Sequence, residues 1–223
     1  MWLSRRVKIA VFLLFFSIII LVLVGMVLPI SSFGPAACEA ECTNNLFHIR
    51  AALLSYHDEN GRYPPAYIAD GHGNPMHSWR VLLLKYLDKT LYDAYDFGEP
   101  WDGPKNKNLL AKMPSVYSCP NNRLNNQKRL NKLSEFTDYL AAVGPNSPLS
   151  GNKSKSMSEV FLGTILIIEV ADSDIHWTEP RDLDVSKIDL GNESRDSFRS
   201  RISSKDPSGP GVILGDLKSI RVR

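Results

Sequence analysis

The sequence is poor in the signatures of catalysis. It contains no G-x-S-x-G, no H-E-x-x-H and no glycine-rich phosphate loop, which removes the motif-based cases for serine hydrolase, zincin and P-loop chemistry. No catalytic residue is assigned. A carboxylate pair for glycoside hydrolysis stays open only because its separation is three-dimensional. A basic face is also missing. The formal net charge is +2, and Arg5, Arg6 and Lys8 account for it, so the rest of the chain is near neutral and nucleic acid is not an expected partner. Cysteine is scarce: Cys38, Cys42 and Cys119 fit no zinc spacing. A Cys42–Cys119 disulfide would close a long loop and contribute roughly 4 kcal/mol in the chain-entropy model. A Cys38–Cys42 bond would lie one helical turn apart and constrain little. Three unpaired thiols are the remaining alternative.

What is present begins with a long apolar run. Ile9–Leu28 holds twenty residues without a charge, and as a helix it would span roughly 30 Å, the thickness of a hydrocarbon core. Basic residues precede it and the next is Arg50, so the positive-inside rule puts the amino terminus in the cytoplasm and the body outside. The expectation is a single-pass protein of the inner membrane, anchored through Ile9–Leu28. A cleaved signal peptide is the competing reading, weakened by the length of the run, and lipidation at Cys38 is a third. The organisation expected is a basic tail over 1–8, a transmembrane helix over 9–28, a linker over 29–37 and an exterior domain over 38–223. Hydrophobic content of 43% and charged content of 22% suit a globular body rather than a disordered one.

Within that body Cys42, Leu46, Ile49, Leu53 and Tyr56 recur at helical spacing on one face, and Asn60-Gly61 followed by Pro64-Pro65 stops the helix. A second helix is expected from the Ser78 N-cap, burying Trp79, Leu82, Leu83, Tyr86 and Leu87. "KNKNLLAKM" adds a turn or two. Beyond residue 114 the pattern becomes short β-like runs: "SVYSC", "DYLAAV", "TILIIEV", "GVILGD" and "SIRVR", with Thr164–Val170 as a central strand. Helices first and strands afterwards predict an α+β domain with an antiparallel sheet.

The stretch "CTNNLFHIRAALLSYHDENGRYPPAY" resembles the prepilin-type, pseudopilin-like proteins with an H-x9-DG C-terminal motif that abound in planctomycete bacteria. The resemblance rests on Cys42, Asn44, Asn45, Tyr56, His57, Asp58, Gly61, Pro64, Pro65 and Tyr67. It continues through Trp79 in "HSWRVLLLKYLD" and through Trp177, Glu179 and Pro180 in "DIHWTEPRDLD". It implies a pilin-like fold, an amphipathic helix packed on an antiparallel sheet behind a membrane helix. It also implies a domain of unknown function associated with type II secretion-like assemblies, with other pilin-like or envelope proteins as partners. The chain is a diverged member. No glycine precedes the apolar run and no carboxylate lies within it, Asp206 stands where the motif has histidine, and Asp216-Leu217 replaces Asp-Gly.

Two acidic stretches are the candidate ligand sites. "EVADSDIHWTEPRDLD" offers Asp172, Asp174 and Glu179 as oxygen ligands of the kind calcium uses, although the spacing is not that of an EF-hand. The alternative is a structural loop pinned by Arg181 and Trp177. "YDAYDFGEPWD" alternates aromatics with carboxylates, as a sugar-binding surface would, or packs its rings onto the sheet. His57 is read as a capping or packing residue. Calcium aside, no cofactor is assigned. The function expected is assembly or partner interaction in the cell envelope, with an exterior solute- or calcium-binding module as the alternative.

Overall fold

The computed structural model describes residues 5–27, 35–120, 135–161, 163–187 and 209–221. Most of the 29–37 linker, Asp206 and the loops over 121–134 and 188–208 lie outside the described residues. The chain divides into two compact units, residues 1–34 and 35–223.

The first unit carries helix α1, Arg5–Val27. Its apolar side chains are exposed, Phe12 at 68% and Leu21 at 74%, and no polar face opposes them. The transmembrane helix expected over Ile9–Leu28 is corrected: among the described residues no helix is long and apolar enough to cross a membrane.

The second unit is α+β. Helix α2, Pro35–Asn60, buries Cys38, Cys42, Leu46, Ile49 and Leu53 along one stripe. It ends where Gly61 takes φ 71° and donates its N–H to the His57 carbonyl at 2.7 Å, a helix stop that suits glycine. The chain then forms a hairpin, β1 (Tyr67–Ala69) and β2 (Pro75–Ser78), two helices, α3 (Trp79–Leu87) and α4 (Lys89–Ala94), and 3-10 turns over Asn106–Lys112 and Ser115–Tyr117. Ser78 caps α3 by accepting the Arg80 N–H at 3.3 Å. The buried stripe of α3 is Trp79, Arg80, Val81, Leu83 and Leu84; Leu82, Tyr86 and Leu87 are only half-buried. The expected stripe was therefore rotated, because α3 is enclosed on more than one side.

The sheet follows: β3 (Tyr139–Val143), β6 (Ile165–Glu169), β7 (Leu183–Asp184), β8 (Gly211–Leu214) and β9 (Ser219–Arg221), with a small hairpin of β4 (Leu149–Ser150) and β5 (Lys153–Ser154) beside it. The strand order is β7-β3-β6-β8-β9, which puts the apolar run at 165–169 in the centre. All pairings in it are antiparallel except β3 with β7. "SVYSC" is not a strand: Ser115–Tyr117 is a 3-10 turn whose Tyr117 hydroxyl donates to the Arg80 carbonyl at 2.8 Å.

Alternation on the strands makes two cores. Tyr139, Ala141, Ile167 and Ile213 share a core with α2 and α3. Leu140, Ile168 and Val212 face the other way, onto Val170 and Ile175. Helix and sheet approach closely at Gly211, where an added Cβ would clash with Leu46 Cδ1. Asp216-Leu217 stands in the β8–β9 turn. Leu217 has φ 57°, the left-handed conformation that glycine adopts at no steric cost, and it is compensated by burial at 6% exposure.

Candidate functional site

Three buried polar centres organise the body. The first surrounds a disulfide. Cys42 on α2 and Cys119, just past the 3-10 turn, are bonded with Cα atoms 5.1 Å apart. Cys38 remains a buried free thiol. The Cys119 N–H donates to Asp138 Oδ2 at 2.8 Å, the Asn45 side-chain amide donates to the Ser118 carbonyl at 3.1 Å, and the Tyr139 hydroxyl reaches the Cys42 carbonyl at 3.3 Å. Burial, reinforced by Glu169 and Asp138, holds the Tyr139 hydroxyl well above its ordinary range. Glu169 Oε2 accepts from the Gly211 N–H at 3.1 Å and from Arg221 at 3.2 Å. Among the described residues the ligand-type side chains that converge within 4.8 Å are Cys42, Cys119 and Glu169. With both sulfurs bonded to each other, that group is a covalent staple rather than a metal set.

The second centre is Arg80. Its guanidinium is fully buried and donates to Asp182 Oδ1 at 2.7 Å and to the carbonyls of Trp177, Glu179 and Arg181 at 3.0, 3.2 and 3.0 Å. The loop from Trp177 to Asp182 is thus wound around one side chain. Trp177 stacks on Tyr117 and donates its indole N–H to the Leu110 carbonyl at 3.0 Å. The loop is structural, but Arg80 pins it. Arg181 lies outside and pairs with Glu179. Periodicity does not mark Arg80 as buried. The available signal was the apolar surround of Trp79, Val81, Leu82, Leu83 and Leu84, which leaves a short helix little solvent-facing surface.

The proposed calcium residues do not come together. The Glu179 carboxylate is taken by Arg181 and by the His176 N–H at 3.2 Å. Asp172 and Asp174 are exposed, at φ 55° and 50°, a backbone conformation that aspartate tolerates. The aromatic–acidic stretch over 92–102 turns its rings inward. Tyr95 and Phe97 pack on His77, and burial raises the Tyr95 hydroxyl and lowers His77. Buried Asn106 ties that loop: its side-chain amide donates to the carbonyls of Asp96, Glu99 and Pro100 at 2.9, 3.3 and 3.1 Å, and its Oδ1 accepts the Asp96 N–H at 2.9 Å.

Motif residues take mainly packing roles. Pro64 is buried and Pro65 half-buried, whereas Asn44, Asp58 and Gly61 are exposed, and Tyr56 meets Tyr86 edge-on. His57 packs on Tyr63 and accepts the Met157 N–H at 3.2 Å. The Tyr63 hydroxyl donates to the Gly215 carbonyl at 2.6 Å, and burial pushes its pKa up to about 12.

The third centre is a cleft of about 340 Å³ where β3 and β7 end beside the β4–β5 hairpin, lined by Tyr67, Val143, Gly144, Gly151, Asp182 and Asp184 among others. Asp182 and Asp184 are two residues apart on an extended segment, so they project to one side. The Asp182 side chain is 3% exposed. Its Oδ1 accepts three donors: Trp79 Nε1 at 3.1 Å, Arg80 Nη1 at 2.7 Å and the Ala141 N–H at 2.8 Å. Its Oδ2 accepts no hydrogen bond from any described residue, yet it belongs to a residue that lines the cleft. Burial raises the Asp182 pKa, opposed by Arg80. Asp184 is held below the usual carboxylate range by hydrogen bonds from Ser186 and Lys187. The cleft can therefore hold a donor or a cation in place.

No curated protein and no solved structure matches the chain. One family does: that described as "Protein of unknown function (DUF1559)" matches residues 35–162, most of the globular body up to the central strand, and the chain belongs to it.

Proposed function

We propose that the chain is a cell-envelope protein whose disulfide-stapled body faces an oxidising compartment and acts in assembly or partner interaction, not catalysis. The observation that carries this is the Cys42–Cys119 bond in the centre of the core, since structural disulfides persist outside the reducing cytoplasm. The pilin-like reading of the sequence supports it further, as does a long helix laid over a largely antiparallel sheet. An amino-terminal helix with exposed apolar side chains offers a surface on which such a partner could pack.

The test is photo-crosslinking in intact cells with the crosslinker placed at Phe12 or Leu21 of the full chain. The reading expects discrete products that contain another pilin-like chain or a second copy of this one, together with a body that proteases reach from outside. A body protected in spheroplasts, or products limited to lipid, would overturn it.

A second reading, an exterior solute-binding module, is favoured by one observation: Asp182 lines the cleft, and its Oδ2 accepts no hydrogen bond from any described residue. Binding of a small solute to the body, lost on blocking that cleft, would support it.

A further inference from the structure

We propose that the cleft at the ends of β3 and β7 is a receptor for a primary alkylammonium group, held by Asp182 Oδ2 with Asp184 at its mouth. The inference deepens the solute-binding reading and does not depend on assembly.

The Asp182 side chain is 3% exposed and pairs with Arg80 through one carboxylate oxygen alone. Its Oδ1 is saturated by the indole, the guanidinium and a backbone N–H, which fixes the plane of the carboxylate. The Oδ2 that remains is pre-oriented and accepts from no described residue. Fixing an acceptor beforehand lowers the cost of binding, because no rotamer has to be ordered when the ligand arrives.

The lining then selects the class of donor. Besides Asp182 and Asp184, the described lining residues are apolar, glycine, proline, serine or tyrosine, and none is lysine or arginine. An anionic ligand would find no lysine or arginine among the described lining residues. A divalent metal would be under-coordinated, since calcium takes six to eight oxygens and no set of three carboxylates converges here among the described residues. An ammonium group carries three donors and no acceptor, and a carboxylate binds it through charge-assisted bonds stronger than those to a neutral hydroxyl. A volume of about 340 Å³ suits a short chain behind that group. Ala66, Val143, Pro145 and Pro180 supply the apolar wall for its methylenes.

Lys187 supports the same reading. Its ammonium already sits 3.0 Å from Asp184 Oδ2, at the edge of the cleft, so the site's outer carboxylate is occupied by the kind of group the inner one lacks.

The experiment is calorimetric titration of the full chain at neutral pH with n-butylammonium chloride, n-butanol, calcium chloride, glycerol and Nα-acetyl-lysinamide. The expected result is saturable one-to-one binding of n-butylammonium, with n-butanol weaker by about tenfold or more. Acetyl-lysinamide distinguishes the source. Binding by it as well identifies a lysine side chain of a peptide as a fitting ligand, and exclusion of it identifies a free small amine. Asp182→Asn should abolish binding. Because that change also touches the Arg80 loop, two gentler variants keep the test decisive: Asp184→Asn should weaken binding several-fold and Lys187→Ala should tighten it. Equal binding of n-butanol, displacement of the amine by calcium, or unchanged affinity in both gentler variants would overturn the proposal. Glycerol binding without n-butylammonium binding would overturn it too while leaving a solute-binding module standing, and no binding of any titrant would remove both.

Discussion

The two acidic loops resemble each other in sequence and behave oppositely in the fold. In the loop over 92–105 three carboxylates, Asp93, Asp96 and Glu99, are consumed locally, and Asp102 is exposed. Asp93 pairs with Lys89, Asp96 with Lys105 and the Gly98 N–H, and Glu99 Oε1 accepts the Lys105 and Asn106 N–H groups at 2.7 Å each. In the loop over 172–184, Glu179 is consumed in the same way, but Asp182 is buried beside Arg80 and its Oδ2 accepts no hydrogen bond from any described residue. Ligand capacity is therefore set by the inventory of partners, not by the density of acid and aromatic residues along the chain.

The sharpest way to break that contrast is Asp182→Ala. It leaves a fully buried guanidinium without its counter-charge, and chemical denaturation should show a loss of about 4 kcal/mol. Asn106→Ala should come next, at about 2–3 kcal/mol, because it strands the Asp96 N–H and the Glu99 carbonyl and takes one donor each from the Asp96 and Pro100 carbonyls. If Asn106→Ala proved the costlier change, the first loop and not the second would hold the body's principal polar anchor.

A smaller effect concerns His77, which sits between the Tyr95 hydroxyl at 3.0 Å and the Phe97 carbonyl at 3.1 Å. The Phe97 carbonyl requires a donor at Nε2, so Nδ1 accepts from Tyr95. Burial lowers the pKa of His77 in the folded state below its ordinary 6.5. The unfolded chain then binds the proton first, so stability declines as pH falls from about 6.5 through the lowered folded value. Thermal unfolding across that window should show the decline, and His77→Gln should flatten it. Smallest of all, Lys105→Ala removes an exposed partner of Asp96, and the melting temperature should not move measurably.

Much of the sheet was legible from sequence because "DYLAAV", "TILIIEV", "GVILGD" and "SIRVR" are apolar runs bounded by turn residues. The helix stop at Asn60-Gly61 was legible for the same kind of local reason. The elements that build the cleft were not. β4, β5 and β7 are two residues each, too short for any period to register, and the β3–β7 pairing joins segments about forty residues apart. "SVYSC" misled because a short apolar run has the same pattern whether it is extended or turned. Arg80 was hidden by its own chemistry, since a charged side chain in a helix normally marks the solvent side. The acceptor at Asp182 follows from Arg80 and was hidden with it.

The Cys42–Cys119 bond has a topological consequence as well as an energetic one. The backbone between these residues, with a sequence separation of 77, is a closed ring holding the lower part of α2, the β1–β2 hairpin, α3 and α4. The exposed turn at Gly71–Gly73 lies on that ring. A peptide bond cut there opens the ring without dividing the molecule. The two pieces travel as one until a reductant is added, so a nick at that turn is invisible on a gel run without one.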